Sequence, residues 1–344
     1  MGATSDEALA AREDYKRREK EGTLSIPTVE RYAAQWLPIA KANAAYRTYN
    51  QNAILLEKLV AAVGDCPISE ITPTQIKRLY STAFLGLSDD YIKHAKHLYA
   101  ALFEAAVEDG YCRSNPVKAR SATPHKGTYT GHRAITPQER AWVETLCTDH
   151  RAYPAVMVML YAGLRPQEVK ALDISRSVDF EKNIIHVQEF VHIAGNNKYS
   201  VNTTGKTEKA TRNVPLFSPL RKVLYGMSGP ILTTADHKPL TISSWAWLWK
   251  SYVAKMEEAI NGGEKRSHNG EWIPFTVKPY DLRHTFITWC RDYGAELHTV
   301  IEWAGHTDST MVLKIYDEVS ADRSQKEAER IEKIILSMQN GMQK

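Results

Sequence analysis

Apolar positions in the first third of the chain recur with a helical period. Val29, Tyr32, Ala33, Trp36 and Leu37 share one face, and Ile54, Leu55, Leu59 and Val60 share the next. Thr72 is placed to cap a third helix, Pro73 to Tyr80, whose proline takes the first helical position, and Asp89 or Asp90 to cap a fourth that ends at Gly110. The pattern over residues 28 to 109 predicts a small all-α bundle.

The period then disappears. The stretch RSNPVKARSATPHKGTYTGHR mixes Pro, Gly, Ser and Thr and reads as an extended linker. From Gly110 to Gln138 five basic residues, Arg113, Lys118, Arg120, Lys126 and Arg133, meet no acidic one. A solvated linker is the ordinary reading of such a run, but its position between two patterned regions favours contact with a polyanion.

From Thr136 the pattern is mixed α and β. Thr136, Pro137 and Glu139 form a helix start, and a second helix covers about Pro154 to Ala162. Asn183 to Ile193 is rich in β-branched residues and predicts a strand, with Arg212 to Leu216 as its partner across a polar loop. Further helices are expected at Pro219 to Gly226, Ser243 to Ile260, Asp281 to Tyr293 and Leu297 to Ala304, and a surface loop over residues 261 to 271. In the last segment, Asp322 to Met338, Ala328, Ile331, Ile335 and Met338 make a narrow apolar stripe, to be packed on its own domain or docked on a neighbouring subunit.

A length of 344 residues exceeds one typical core, so two domains are the natural division. With 43% hydrophobic and 24% charged residues the composition is that of an ordinary globular protein. No apolar run approaches a membrane span and the N-terminus is charged rather than signal-like, so the expectation is a cytoplasmic protein with no membrane partner. The four cysteines, Cys66, Cys112, Cys147 and Cys290, are too far apart to suggest a zinc site or a disulfide framework. A net charge of +4 permits nucleic-acid binding without demanding it.

Candidate chemistry is concentrated in five residues: Arg165 in YAGLRPQEVKAL, Lys206 in GKTEKATRNVPL, Arg283 in YDLRHTF, His306 in WAGH and Tyr316 in KIYDEV. Four carry or donate positive charge and the fifth is a phenol, a set able to clamp a phosphodiester and attack it without metal. Arg165 sits before Pro166 at a helix start, a good place for a phosphate oxygen, and Glu168 is expected to orient donors rather than move protons. Arg283 lies in a helix whose apolar positions Leu282, Phe286, Ile287 and Cys290 face inward, leaving its guanidinium to reach the site edge. Two guanidinium forks on one phosphate match its oxygens in a bidentate way.

Gly205 to Thr207 spell the end of a nucleotide-binding P-loop, but Ser200 stands where the earlier glycine is needed and a strand follows instead of a helix. Lys206 on a hairpin loop suits protonation of a leaving oxygen instead. Tyr316 as a nucleophile starts from a phenol that is ionised to the order of a thousandth at neutral pH, a cost that nearby cations lower. Its attack gives a covalent intermediate that keeps the phosphodiester energy for rejoining. His94 and His97 share a helical face but have no carboxylate or cysteine beside them to complete a metal site.

Read in order, these motifs resemble those of the tyrosine recombinases, the phage-type integrases, and the match covers nearly the whole chain. YAGLRPQEVKAL looks like the first arginine box, which gives Arg165 the catalytic arginine role and Glu168 the supporting acidic one. KTEKATRNVPL resembles the β-hairpin of the catalytic Lys206, YDLRHTF the second box at Arg283, and AGH the position of His306; Tyr316, ten residues on, falls where the nucleophile belongs. One departure stands out: the second box usually begins with histidine, and here Tyr280 occupies that place. A phenol donates to a phosphate oxygen but is a poorer base near neutral pH.

The resemblance implies a mostly α protein with a small antiparallel β-sheet: a charged segment, 1 to 25, a helical core-binding (SAM-like) domain, 26 to 115, the basic linker, 116 to 134, an α+β catalytic domain, 135 to 320, and a C-terminal helix, 321 to 344, packing in trans. Residues 1 to 25 are too short for the separate arm-site domain of many integrases. It implies a site-specific DNA recombinase of a phage or mobile element, working through a 3′-phosphotyrosine without metal, ATP or other cofactor. Its partner is double-stranded DNA at recombination sites, on which a homo-tetramer forms from free monomers or weak oligomers and exchanges strands through a Holliday junction. The linker residues Arg113, Lys118, Arg120, Lys126 and Arg133 would lie against the DNA backbone, and an accessory DNA-bending or directionality factor is left open. Competing readings are a DNA-binding regulator without catalysis and a type IB topoisomerase; a two-metal nuclease lacks the clustered carboxylates it would need.

Overall fold

The computed structural model describes residues 26–128, 131–193, 199–202, 211–234, 240–263, 272–305, 312–313, 329 and 332. The chain divides into two compact units, Met1–Gly131 and His132–Lys344. Each has a core of its own.

Among the described residues of the first unit four α-helices run α1 (Val29–Ala40), α2 (Tyr46–Val63), α3 (Pro73–Ala83) and α4 (Asp89–Glu108). Thr28 caps α1 by accepting from the Arg31 N–H, and Thr72 with Gln75 closes a capping box on α3, so one backbone donor at the start of α1 and two at the start of α3 find partners nearby. The cap of α4 is Ser88, whose hydroxyl accepts from the Tyr91 N–H at 3.3 Å, rather than Asp89 or Asp90. Both aspartates then lie in the first turn, where the helix dipole favours negative charge. Leu55, Leu56 and Leu59 of α2 are buried while Ile54 is exposed, so the apolar stripe sits one residue further round than the sequence period suggests. Tyr80, Phe84 and Tyr99 pack ring against ring in this core, and the Tyr99 hydroxyl donates to the Leu55 carbonyl at 2.6 Å.

The stretch expected to be an extended linker folds back onto this bundle. Pro116–Lys118 and Arg120–Ala122 form two 3-10 turns with Val117 and Ala122 buried, and Lys77 Nζ donates to the Thr123 carbonyl at 2.6 Å. The Thr128 N–H then donates to the Leu87 carbonyl at 3.0 Å. A period of three over two short turns is too brief to register as an apolar pattern in the sequence.

In the second unit α5 (Pro137–Thr145) starts on the Thr136 capping box, and α6 (Tyr153–Ala162) is buried on all sides. Two short helices follow, α7 (Pro166–Ala171) and α8 (Ile174–Ser177). The region expected to be one strand is two, β2 (Ile184–Val187) and β3 (Phe190–Ile193), which belong to different sheets. β2 lies between β1 (Val178–Asp179) and β5 (Arg212–Pro215), antiparallel to both, with Ile185 opposite Val214. β3 pairs with β4 (Tyr199–Asn202) in a two-stranded antiparallel sheet and packs against α7. Glu189, between β2 and β3, takes both guanidinium ends of Arg176 at 3.0 and 3.1 Å, so the break coincides with an anchored charge.

Further helices among the described residues are α9 (Ser218–Leu224), α10 (Ile242–Ile260), α11 (Pro279–Asp292) and α12 (Leu297–Ala304). α11 packs along α6, and α12 packs against α11 and β5. No helix among the described residues is long and apolar enough to cross a membrane. Lys206, His306, Tyr316, most of the loop at 261 to 271 and nearly all of the segment from Asp322 lie outside the described residues.

Candidate active site

The site begins where α6 ends. Gly163 closes that helix in the left-handed region (φ +64°), and a Cβ there would come within 2.3 Å of the Phe286 ring on α11, so only glycine lets the two helices approach. After buried Leu164, Pro166 opens α7 at its first helical position, and Glu168 reaches back to accept from the Arg165 N–H at 2.7 Å.

The Glu168 carboxylate is the centre of the site. It accepts from Arg165 Nη1 at 2.8 Å and from Arg212 Nη1 and Nη2 at 3.0 and 2.8 Å, and Arg283 Nη1 stands 4.0 Å away. Arg212 meets it with a two-pronged fork, the strongest geometry open to this pair. The same three arginines are held on the opposite side by three successive carbonyls at the end of α12. Arg212 Nε donates to Trp303 at 2.7 Å, Arg283 Nη2 donates to Ala304, and Arg165 Nη2 donates to Gly305 at 2.7 Å. Helix C-terminal carbonyls carry partial negative charge and are natural partners for cations. Gly305 immediately precedes His306 in the chain.

Burial alone would raise the Glu168 pKa, but the hydrogen bonds from Arg212 and the charges of Arg212, Arg283 and Arg165 outweigh it and hold the carboxyl at about 2. Burial and the Arg165 charge push Arg283 down to about 9, with Glu168 opposing, which still leaves the guanidinium protonated at neutral pH. Three cations and one anion in a poorly solvated cluster project a net positive field, the complement of a phosphodiester.

Of the residues singled out from the sequence, Arg165, Glu168, Arg283 and Tyr280 come together here. Arg283 does not reach the site edge as expected: it is 3% exposed and donates inward to the Gly163 and Ala304 carbonyls. The helix period placed its backbone correctly, but the two carbonyls turn the fork into the core. Arg165, with about a quarter of its side chain exposed, is the guanidinium nearer solvent. Tyr280 is 38% exposed and its hydroxyl donates to Gln167 Oε1 at 3.3 Å, beside Arg165 in the sequence of α7.

The sequence motifs do not single out Arg212. The signal was available: on β5, Arg212 and Val214 are the buried positions of an alternating strand, so a charged residue occupied an inward place and needed a partner. Among the basic residues from 113 to 133, Lys118 pairs with Glu104 at 2.7 Å, and Arg133 grips Glu139, one bond being 2.7 Å. Among the described residues no group of three or more His, Cys, Asp or Glu is arranged to hold a metal ion.

Gly305 is the second glycine that the site requires. It sits at φ +60°, and a Cβ there would lie 2.8 Å from the Arg212 guanidinium, which is pinned on both sides. Gly305→Ala is therefore expected to cost roughly 1–3 kcal/mol, from the left-handed backbone and the displaced fork together. Urea unfolding measures it; a loss no greater than that of a surface Gly→Ala change would contradict the cradle.

The phage integrase family model matches residues 138–323, more than half of the chain and the whole span from Arg165 to Tyr316. The chain is 25% identical to a XerC-like tyrosine recombinase of Caldanaerobacter subterraneus subsp. tengcongensis, over 92% of this chain and 87% of that protein. It is 25% identical to the integrase of Mycobacterium phage D29, over 92% and 81%. Among solved structures, the Tn1549 transposon integrase in complex with a circular intermediate DNA superposes with a TM-score of 0.72 at 21% identity, covering 89% of this chain and 99% of that one. The lambda integrase tetramer bound to a Holliday junction superposes with a TM-score of 0.58 at 15% identity, over 87% and 80%. The match over residues 138–323, which contains Glu168 and its three arginines, shows that the chain belongs to the phage integrase family, the tyrosine site-specific recombinases that break and rejoin DNA.

Proposed function

We propose that this chain is the integrase of a phage or other mobile element, acting in the cytoplasm on double-stranded recombination sites. The observation that carries the reading is the arginine cradle: Arg165, Arg212 and Arg283 converge on Glu168 and on the three carbonyls that precede His306. In this reading the Tyr316 phenol gives up its proton to His306 or to water as its oxygen attacks the scissile phosphorus and forms a 3′-phosphotyrosyl bond. The 5′ oxygen leaves and takes a proton from Lys206, and rejoining reverses both transfers. Arg165 contacts the phosphate oxygens, Arg283 stabilises the developing charge from beneath, Glu168 orients the guanidiniums, and His306 and Tyr280 complete the phosphate's hydrogen bonds. Neither metal nor ATP enters the scheme.

The first unit, residues 26 to 115, serves as the core-binding domain, residues 116 to 134 as the basic connection, residues 135 to 320 as the catalytic domain and residues 321 to 344 as the segment that packs in trans. Arg113, Lys118, Arg120, Lys126 and Arg133 contact the DNA backbone; for Lys118 and Arg133 this entails exchanging Glu104 and Glu139 for phosphate. Four protomers on two sites, exchanging strands through a Holliday junction, would match the assembly in which lambda integrase was solved.

The test uses nicked suicide duplexes tiling the DNA that flanks the chain's own gene. The expected result is a denaturant-resistant adduct with one duplex, formed in the presence of a chelator, with peptide mapping putting the DNA on Tyr316. No adduct with any duplex, or an adduct on another residue, would sink the proposal. Relaxation of any supercoiled plasmid by monomers would favour the topoisomerase reading instead.

A further inference from the structure

Position 280 is where this chain departs from the histidine of the family's second box, and the structure surrounds it with a device of its own. The first residues of the catalytic unit, 132 to 135, strap across the start of α11. The Ile135 N–H donates to Thr285 Oγ1 at 2.9 Å, the Thr285 hydroxyl donates to the Asp281 carbonyl at 2.7 Å, and the Arg133 N–H approaches Asp281 Oδ1 at 3.4 Å. Asp281 is 3% exposed and accepts from the Lys278 N–H at 2.9 Å through its other oxygen. That fixed carboxylate holds His132, whose Nδ1 lies 2.9 Å from Oδ1. The imidazole in turn stacks on the Tyr280 ring, centroids 5.2 Å apart and planes 27° from parallel.

We infer that His132, anchored by Asp281, is a positioning residue for Tyr280: it fixes the phenol beside the start of α7, where the phosphate meets Arg165. The physical need is plain. Tyr280 lies in the first turn of α11 with more than a third of its surface open, and among the described residues its hydroxyl has only a long bond to Gln167 to hold it. Without the stack the ring would exchange rotamers and spend little time aimed at the site, and a misplaced donor costs rate far more than affinity. Asp281 supplies rigidity because it is buried, bonded on both oxygens and part of the same helix turn as Tyr280, so histidine, phenol and guanidinium share one frame. The chain thus compensates for the missing histidine with one from outside the box, 148 residues earlier in sequence.

The inference rests on the recombinase reading, and its test separates the two. Adduct formation by the wild-type chain, mapped to Tyr316, comes first; its absence overturns that reading and with it this one. Single-turnover adduct formation is then followed for His132→Ala, Tyr280→Ala and the double variant, on the same nicked duplex and well below each unfolding midpoint. His132→Ala is expected to slow the step about tenfold with DNA affinity nearly unchanged, and to slow it no further when Tyr280→Ala is already present. His132→Phe, which keeps the stack and loses the carboxylate bond, recovers part of the rate. Equal slowing by His132→Ala in both backgrounds, or none in either, overturns the positioning role while leaving the recombinase intact.

Discussion

Tyr316→Phe is expected to abolish the covalent adduct while leaving DNA binding in place. The change deletes one oxygen, and in the proposed scheme that oxygen is the nucleophile, so no other group can form the phosphotyrosyl bond. By analogy with nucleophile deletions elsewhere the rate should fall by roughly 10⁴-fold or more, below detection in an adduct assay. Affinity is governed by contacts to many phosphates rather than by one phenol, and should stay within about twofold. Gel shift and adduct assays on the same duplex measure both. A residual adduct would mean that another side chain attacks; loss of binding as well would mean that the phenol is structural, as a half-buried tyrosine in a core would be.

The second large effect is on stability. Glu168→Ala leaves Arg165, Arg212 and Arg283 facing one another without their shared anion, two of them almost fully buried. Breaking a buried ion pair from one side costs about 3–5 kcal/mol, because the remaining charge has no water to turn to. The second unit should unfold at markedly lower urea, while the first keeps its own transition. Glu168→Gln, which preserves shape and one acceptor, should fall between. The pH dependence carries the same signature. The Glu168 pKa is depressed in the folded chain from 4.5 to about 2, so its stabilisation is complete above about pH 4.5 and is lost as pH falls toward 2. A depression of that size corresponds to roughly 3 kcal/mol. Between those pH values the wild type should lose this increment and Glu168→Gln should not; parallel acid curves would contradict the hub.

The caps at Thr72 and Thr136 were legible because a capping box is a contract among four consecutive residues, and nothing distant has to agree with it. The strand from Asn183 to Ile193 read as one because β-branched residues announce extended backbone but not which neighbour an edge will choose; β2 chose β5 and β3 chose β4. The stretch from Arg113 reads as an extended linker because its buried residues, Pro116, Val117 and Ala122, are too few to make an apolar period. The motif places Arg283 in the site, and only the depth of its guanidinium differs from the expected site edge, because Gly163 and Ala304 offer carbonyls that the sequence cannot bring near it.

What the sequence determined by itself is therefore local or ordinal: helix starts and periods, the residue types needed for phosphodiester chemistry, and their order along the chain, which was enough to reach the family. What only the tertiary structure decided is convergence. Arg165, Arg212 and Arg283 span more than a hundred positions and meet on one carboxylate because α11 packs on α6 and α12 on β5, a close approach that Gly163 and Gly305 permit by having no side chain. His132 stands beside Tyr280 for the same kind of reason: a buried Asp281 binds the strap, and the partner of a buried charge is chosen by packing rather than by its place in the sequence.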